Sequence, residues 1–316
     1  MNNSVDNKMD NIDILCVGEV LIDFIGHQEG VLINETRDYH RYLGGSPTNV
    51  AMNSTRLGLN ATMVATVGDD GFGSYIFEKL SEVGVNTSHI KTLDNKSTSV
   101  IFVSRSSGTP DFIPFREADC CIYEEQISSE ILSKTKIFHT TCFALSKKPA
   151  QKTILKKAQE AYDLGCKLSI DVNYAKKLWK SQKKAFKVIK SYCQFNPLIK
   201  ISEDDMLRLF EKELPHEDIF QFFHDQGVET VCLTLGSKGV KLSQKGKEVI
   251  QMPAIKIDKV MDSTGAGDAF WSGFLFAYIK EKTIDECLDI ALKLAALKLQ
   301  NVGRLPDNIN ILSKLL

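Results

Sequence analysis

Short apolar runs alternate with helix-like spacing along most of the 316-residue chain. The runs have the length of buried strands, and the segments between them carry apolar residues at helical intervals. This alternation predicts parallel βαβ units, and hence an α/β fold with a doubly wound, mainly parallel sheet covered by helices on both faces. The predicted strands are residues 14–17, 61–67, 167–172 and 230–235, and the predicted helices are residues 47–57, 73–83, 149–164 and 181–193.

Two stretches interrupt this alternation. Residues 24–43 and 98–115 alternate apolar and polar side chains and carry no helix pattern. We expect them to pair as antiparallel strands in a small sheet that projects from the main domain. Residues 1–10 are polar and predict a disordered tail, so that a single domain spans residues 11–316.

The run from Asp262 to Asp268 reads Asp-Ser-Thr-Gly-Ala-Gly-Asp, and an apolar helical pattern follows it at once. Glycines at a helix start let backbone N–H groups turn toward a guest, and the helix dipole favours an anion there. A carboxylate beside that anion is placed to deprotonate a hydroxyl group that attacks it. The run therefore suggests phosphoryl transfer, although a tight turn with an Asp N-cap explains the same residues about as well.

Charge and cysteine usage narrow the class of protein. The formal net charge of −1 gives no electrostatic reason to expect a nucleic acid partner, and the lysine-rich stretch 176–190 is typical of a solvated helix face. The eight cysteines form no C-x-x-C pair and lie mostly in apolar runs, which predicts reduced thiols and a cytoplasmic protein. No apolar run in the sequence is long enough to cross a membrane.

Polar residues follow three of the predicted strands. Glu19 and Asp23 follow the first strand, Asp171 and Asn173 lie at the end of a later one, and residues 236–239 follow another. Ligands of open α/β sheets bind outside the carboxyl ends of the strands, so these residues are candidates for a binding site. Taken singly, they are also explained by a surface ion pair, a turn and a hairpin.

Two motifs together resemble the ribokinase-like (PfkB-type) carbohydrate kinases, and within them the bacterial fructokinases. The first motif is the run YLGGSPTNVA at residues 42–51, continued by VGDDGFG at residues 67–73. The second is DSTGAGDAF at residues 262–270. The resemblance extends from about residue 12 to residue 306. It implies ATP- and Mg2+-dependent transfer of the γ-phosphate to a sugar hydroxyl, with the projecting sheet as a lid that also forms a homodimer.

The resemblance assigns roles to individual residues. Asp268 matches the general base, and Gly265, Ala266 and Gly267 match the anion hole. The predicted substrate contacts are Asp23, Gly45, Asn49, Arg116, Asp171 and Asn173. The predicted nucleotide contacts are Thr234, Gly236, Gly239, Asn301 and Gly303. Arg116 would reach a sugar oxygen, and a salt bridge on the lid explains it nearly as well.

The chain departs from the family pattern at two positions. Many relatives carry an arginine where this chain has Ala175, which leaves one anchoring role unfilled or shifted to Lys176 or Lys177. The usual Asn-x-x-Glu is replaced by Ser202 and Asp205, with Asp205 expected to order Mg2+ indirectly. In addition, Asp262 and Thr264 match a monovalent-cation site of some relatives, which suggests K+ as a further cofactor.

These observations favour a cytoplasmic ATP-dependent sugar kinase, with fructose as the first acceptor to consider. A 2-keto-3-deoxygluconate kinase or another PfkB-type sugar kinase is the alternative within the family. From another class, a non-catalytic homologue that binds sugar or nucleotide also fits the two departures. A dinucleotide-dependent oxidoreductase is disfavoured, because no G-x-G-x-x-G follows the first strand.

Overall fold

A computed structural model describes residues 11–105, 111–301 and 305, and the predicted tail at residues 1–10 lies outside them. The strands are β1 (Ile12–Val17), β2 (Leu21–Glu29), β3 (Tyr39–Gly44), β4 (Ala61–Gly68), β5 (Asn86–Leu93), β6 (Val100–Arg105), β7 (Phe112–Phe115), β8 (Thr135–Thr141), β9 (Lys167–Asp171), β10 (Leu198–Ser202), β11 (Thr230–Thr234), β12 (Val240–Gln244) and β13 (Ile250–Met252). The helices are α1 (Ser46–Arg56), α2 (Gly71–Val83), α3 (Ser129–Ser133), α4 (Ala150–Asp163), α5 (Gln182–Cys193), α6 (Glu203–Phe210), α7 (His216–Asp225), α8 (Ala266–Ile279) and α9 (Ile284–Leu299).

Nine of these strands form the main sheet, in the order β13-β12-β11-β10-β9-β8-β1-β4-β5. The seven strands from β11 to β5 in that order are parallel, and β12 and β13 add an antiparallel edge. The predicted doubly wound, mainly parallel sheet is confirmed. Because the chain builds outward in both directions from β1, the carboxyl ends of β1 and β8 form the topological switch point where such sheets bind ligands.

The apolar runs are continuous because both faces of the sheet are buried. In β1, Ile14 and Cys16 belong to the hydrophobic cluster on one face, whereas Leu15 and Val17 belong to the cluster on the other. Successive side chains of a strand point to opposite faces, so a strand covered by helices on both sides is apolar at every position. The same burial explains the cysteines, all eight of which are buried and unpaired.

The small sheet has the order β3-β2-β6-β7 and corresponds to the predicted lid. Pairs β2/β3 and β6/β7 are antiparallel, and a parallel β2/β6 pairing joins the two. The lid strands begin at Leu21, three residues earlier than the predicted stretch. Residues 106–110, which belong to the second predicted stretch (98–115), lie outside the described residues.

Two further predictions, on the lysine-rich stretch and on residues 236–239, have clear outcomes in the structure. Lysines on α5 are exposed while Ala185 and Ile189 are buried, so this part of the lysine-rich stretch is a solvated helix face. Residues 236–239 link β11 to the antiparallel β12, so they do form a hairpin turn. Within the described ranges, the helices fall short of the length and apolar character that crossing a bilayer requires.

Helix α8 is apolar on all sides because it is packed between α1 and α9. Its Trp271 ring stacks on Phe274 at 4.9 Å, and the indole nitrogen donates to Ser169 at 2.9 Å, which ties the helix to β9. Gly273 lets α9 approach closely, since a Cβ there would lie 3.0 Å from the Cα of Ala291. The first turn of α8 is therefore held by its neighbours over the rim of the sheet.

We predict that Gly273→Val lowers the free energy of unfolding by about 1–3 kcal/mol, because the added atoms would press on α9 backbone. Urea titration followed by tryptophan fluorescence measures the change. Gly71→Val is the control, since a Cβ at this first position of α2 meets nothing within 4 Å. Equal loss of stability in both variants would contradict the packing role of Gly273.

Candidate functional site

The site is built around the start of α8, beside the carboxyl ends of β1 and β8. Gly265 precedes the helix with φ of 74°, in the left-handed region that glycine adopts at low cost. No side chain caps the helix at this end. The N–H groups of the first turn therefore remain suited to an anion, as the sequence predicted for residues Gly265 to Gly267.

Asp268 lies in this first turn, and its carboxylate is held by α1. The Ser46 hydroxyl donates to Oδ1 at 2.6 Å, and the Asn49 amide donates to Oδ2 at 2.7 Å. Burial raises the pKa of Asp268, while the Lys200 ammonium and these two hydrogen bonds act to lower it. The result is a fixed carboxylate with a tuned proton affinity, which is the requirement for a general base.

Glu19 fixes α1 in the position that Asp268 requires. Its carboxylate accepts from the Ser46 backbone N–H at 3.3 Å and from the Thr141 hydroxyl at 2.8 Å, which joins the ends of β1 and β8. Burial raises the pKa of Glu19 to about 8. Gly45, with φ of 105°, leaves no room for a side chain, because a Cβ would lie 2.3 Å from the Glu19 carbonyl oxygen.

Asp23 enters the site from the lid. Gly44 lets its carboxylate approach, since a Cβ at Gly44 would lie 2.2 Å from Asp23 Oδ2. Burial, together with the nearby charge of Asp268, raises the pKa of Asp23 to about 7. The structure thus brings together four predicted residues, Asp23, Gly45, Asn49 and Asp268, on one side of the switch point.

A buried ion pair lies under the anion hole. Lys200 on β10 donates to Asp171 Oδ2 at 2.7 Å, and both side chains are almost fully buried. A Cβ at Gly267 would lie 3.0 Å from the Lys200 ammonium, so the cation is in contact with the first turn of α8. Burial raises the pKa of Asp171 to about 7, and its Oδ1 has no hydrogen-bond partner. The predicted contact of Asp171 with sugar stays a prediction, and in the structure its observed partner is Lys200.

The remaining predicted substrate residues are held by protein partners. Arg116 is buried and bonds Asp119 through Nε at 2.9 Å, and it donates to the Ser146 hydroxyl at 2.6 Å. This is the salt bridge that the sequence left open, buried instead of exposed. Asn173 accepts from the Phe143 backbone N–H at 3.1 Å. The contacts of Arg116 and Asn173 with sugar stay predictions. At the position after Ala175, the exposed Lys176 pairs with Glu211.

The predicted nucleotide residues lie farther along the same rim. Thr234 ends β11, and the turn that follows depends on two glycines with positive φ, Gly236 and Gly239. A Cβ at Gly239 would lie 2.1 Å from the Met252 carbonyl oxygen, so this turn packs against the end of β13. Asn301 follows α9, and Gly303 lies outside the described residues.

The predicted metal residues are engaged in different ways. Asp205 forms a capping box with Ser202 at the start of α6 and accepts from Arg208 at 3.0 Å, and its predicted indirect role toward Mg2+ stays a prediction. Among the described residues, no group of three or more His, Cys, Asp and Glu side chains is arranged around a metal position. Asp262 accepts from the buried Lys298 ammonium at 3.2 Å, and the predicted contact of Asp262 and Thr264 with K+ stays a prediction.

Three residues of the site were not predicted from the sequence: Ser46, Lys200 and Lys298. Ser46 lies in the motif at residues 42–51, between the predicted substrate residues Gly45 and Asn49. Lys200 was detectable as a lone charge in the apolar run Leu198-Ile199-Lys200-Ile201, since a lysine inside a buried strand needs a partner. Lys298 occupies a similar position near the end of the apolar helix α9, where it is 3% exposed.

Comparison with known proteins gives one family across the chain. The model of the pfkB family carbohydrate kinases matches residues 11–309. An ATP-dependent 6-phosphofructokinase of Thermoanaerobacterium thermosaccharolyticum is 36% identical over 93% of this chain and 90% of its own. The structure of Halothermothrix orenii fructokinase superposes with a TM-score of 0.81 at 34% identity, covering 90% of this chain and 98% of that one. An uncharacterised sugar kinase from Pyrococcus horikoshii, solved with ATP, gives a TM-score of 0.80 at 29% identity, covering 92% and 93%. The fold is ribokinase-like.

We predict that Ser46→Ala shifts the acidic limb of kcat/KM, measured as ATP-dependent sugar phosphorylation, to higher pH by about half a unit to one unit. The reason is that losing one hydrogen bond to the carboxylate, worth on the order of 1 kcal/mol, raises the pKa of Asp268 further. The ionised form needed for catalysis then disappears at a higher pH as the solution is acidified. Ser74→Ala, at an exposed position of α2, is the control. An unchanged acidic limb of the pH profile in Ser46→Ala would contradict the assignment of Asp268 as the base.

Proposed function

The chain belongs to the pfkB family carbohydrate kinases and is an ATP-dependent sugar kinase, and we propose that fructose is its acceptor. The observation that carries the proposal is the carboxylate of Asp268, held by Ser46 and Asn49 at the uncapped start of α8. This arrangement places a base beside an anion site. Sugar phosphorylation needs both, because the attacking hydroxyl must lose a proton as the phosphoryl group arrives.

In the proposed reaction, Asp268 accepts the proton of the attacking sugar hydroxyl. The oxygen of that hydroxyl bonds to the γ-phosphorus of ATP, and the bond from the phosphorus to the β,γ-bridging oxygen breaks to release ADP. Backbone N–H groups of Gly265 to Asp268 stabilise the charge on the transferring phosphoryl group. The Lys200 ammonium, in contact with Gly267, contributes a positive charge beneath the same turn.

Electrostatics on the acceptor side favour a neutral sugar. The carboxylates of Asp23 and Asp268 face this side, and each raises the cost of bringing a further negative charge close. Arg116, the cation that the sequence offered for contact with a sugar oxygen, is already paired with Asp119 and so does not offer a free charge to an acidic sugar. These contacts support fructose over 2-keto-3-deoxygluconate. The 34% identity to the Halothermothrix orenii fructokinase supports the same acceptor.

Mg2+ is proposed as the companion of ATP, where it would neutralise charge on the phosphate oxygens. Ser202 and Asp205, at the carboxyl end of β10, are the oxygen-bearing residues that would order its water shell. We place the protein in the cytoplasm, an assignment supported by eight buried, unpaired cysteines. The predicted absence of nucleic acid and membrane partners stays a prediction.

We predict that Asp268→Asn lowers kcat for fructose phosphorylation by on the order of 10²–10⁴, while the dissociation constant for fructose stays near the wild-type value. The amide keeps the shape of the side chain and one acceptor oxygen, but it takes up no proton from the sugar hydroxyl. Coupled detection of ADP gives kcat, and calorimetry gives the affinity. Asp285→Asn, an exposed acid in the first turn of α9, is the matched control. Full activity of Asp268→Asn would contradict the assignment of Asp268 as the general base.

The acceptor is tested by measuring ADP release from ATP and Mg2+ with fructose, ribose, 2-keto-3-deoxygluconate and fructose 6-phosphate. We expect the highest kcat/KM with fructose. Fructose 6-phosphate is included because the relative from Thermoanaerobacterium thermosaccharolyticum is a 6-phosphofructokinase. Turnover with another acceptor but not with fructose would contradict fructose as the substrate and would leave the proposed mechanism unchanged. ATP binding without any turnover would favour the non-catalytic alternative.

A homodimer through the lid is a further part of the proposal. One face of the lid carries a cluster of aromatic rings, with Phe102 stacked on Phe24 at 5.0 Å and Phe115 packed on Phe102 at 6.0 Å. Phe115 is 58% exposed and Ile113 on the same strand is 44% exposed. Exposed apolar groups of this kind on one face are typical of a protein interface.

We predict that Phe115→Ser converts a dimer into a monomer at micromolar concentration, because the central apolar contact is lost. Light scattering after size-exclusion chromatography measures the mass. Leu164→Ser, which removes another exposed apolar side chain outside the lid, is the control and should stay dimeric. A monomeric wild type, or a dimeric Phe115→Ser variant, would contradict the proposed interface.

A further inference from the structure

The ammonium of Lys298 lies in a nest of oxygen atoms next to the anion hole. Its side chain is 4% exposed, and Nζ donates to Asp262 Oδ2 at 3.2 Å, to the Asp262 carbonyl oxygen at 3.4 Å and to the Asn301 carbonyl oxygen at 3.2 Å. A lysine ammonium has three N–H donors. All three are therefore matched by oxygen acceptors, and the charge is compensated by a carboxylate.

This set of acceptors has the chemistry of a site for a monovalent cation. Backbone carbonyl oxygens replace the hydration shell of K+ in proteins, and here two of them converge with a carboxylate. Asp262 is also the residue that the sequence assigned to such a site. Because the ammonium already contacts these oxygens, the residues present do not fit a K+ ion at this position. The prediction of K+ as a cofactor therefore does not fit the structure.

The contacts of Lys298 link two segments that border the active site. The Met261 N–H donates to the Leu299 carbonyl oxygen at 2.8 Å, so residues 261–262 run beside the end of α9. Asp262 Oδ1 in turn accepts from the Thr264 N–H at 2.9 Å, one residue before Gly265. A Cβ at Gly265 would lie 3.9 Å from Lys298 Cε. The ammonium thus stabilises the loop from which the anion hole begins.

We propose that the Lys298 ammonium is a built-in monovalent cation that holds residues 262–265 in their phosphate-binding conformation, so that this kinase works without K+. The inference rests on the proposed kinase function. Lys298 is a positioning residue, because the hydrogen bonds of its ammonium go to the loop residue Asp262 and to Asn301. A lysine that merely capped the carbonyl groups at the end of α9 would stabilise the helix without affecting the response to K+.

The first test compares wild-type kcat and KM for ATP in tetramethylammonium chloride with those in KCl at equal ionic strength. We expect the values to agree within about twofold. The loss of a single hydrogen bond, at about 1 kcal/mol, would already change kcat or KM by about fivefold. A tenfold or larger activation by K+ would overturn the proposal. This test uses the intact protein and does not depend on whether a variant folds.

The second test uses Lys298→Met, which keeps the apolar stem and removes the ammonium. We expect kcat in tetramethylammonium to fall by about 10- to 100-fold, the loss expected when hydrogen bonds to a charged group are removed. KCl or NH4Cl should restore most of it, because the oxygen acceptors are then available to a free cation. A variant that is unaffected, or impaired without any response to K+ or NH4+, would overturn the proposal.

The control is Lys293→Met, on the same helix, whose half-buried lysine pairs with Asp289 at 2.8 Å. It should retain wild-type kcat in both salts. A second readout separates this inference from the proposed function. K+ should raise the thermal midpoint and the affinity for ATP in Lys298→Met but not in the wild type. If no sugar is turned over, the proposed function fails, and these two measurements still decide the role of Lys298.

Discussion

The site depends on one buried carboxylate that is held in a fixed position at the start of a buried helix. Asp268 receives a hydrogen bond from each of two side chains on α1, and the cations Lys200 and Lys298 lie on neighbouring elements. Burial alone disfavours the charge, so each of these groups offsets part of that cost. The surrounding packing makes sense in this light: α8 is held on α1 and α9 because its first turn must stay in place.

The buried charges of the site do not serve stability. Lys200 and Asp171 form an ion pair inside the rim of the sheet, where removing both charges from water costs more than their attraction returns unless the geometry is excellent. One oxygen of Asp171 even lacks a hydrogen-bond partner. Apolar residues would fill this position at lower cost. The pair is better explained by its contact with Gly267, where a fixed positive charge would act on a phosphate bound as proposed at the start of α8.

Much of the fold follows from the sequence, because buried strands and amphipathic helices leave local patterns. The parallel sheet, the lid strands and the start of α8 were all predictable in this way. The contacts of Asp268 were harder, since Ser46 is 222 residues away in sequence and only the fold brings the two together. Lys298 shows a different limit: the sequence marks Asp262 as a cation ligand, and only the fold shows that its carboxylate pairs with a lysine ammonium near the end of α9.

The most direct test of the central claim is a crystal structure with fructose and a non-hydrolysable ATP analogue. Our account predicts one sugar hydroxyl within about 2.6–3.2 Å of the Asp268 carboxylate, with the γ-phosphoryl oxygens against the N–H groups of Gly265 to Asp268. A different placement would contradict it. An example is sugar bound away from Asp268, in the cavity of about 910 Å³ that is lined by Arg41, Phe72 and Lys147 and that Asp268 does not border.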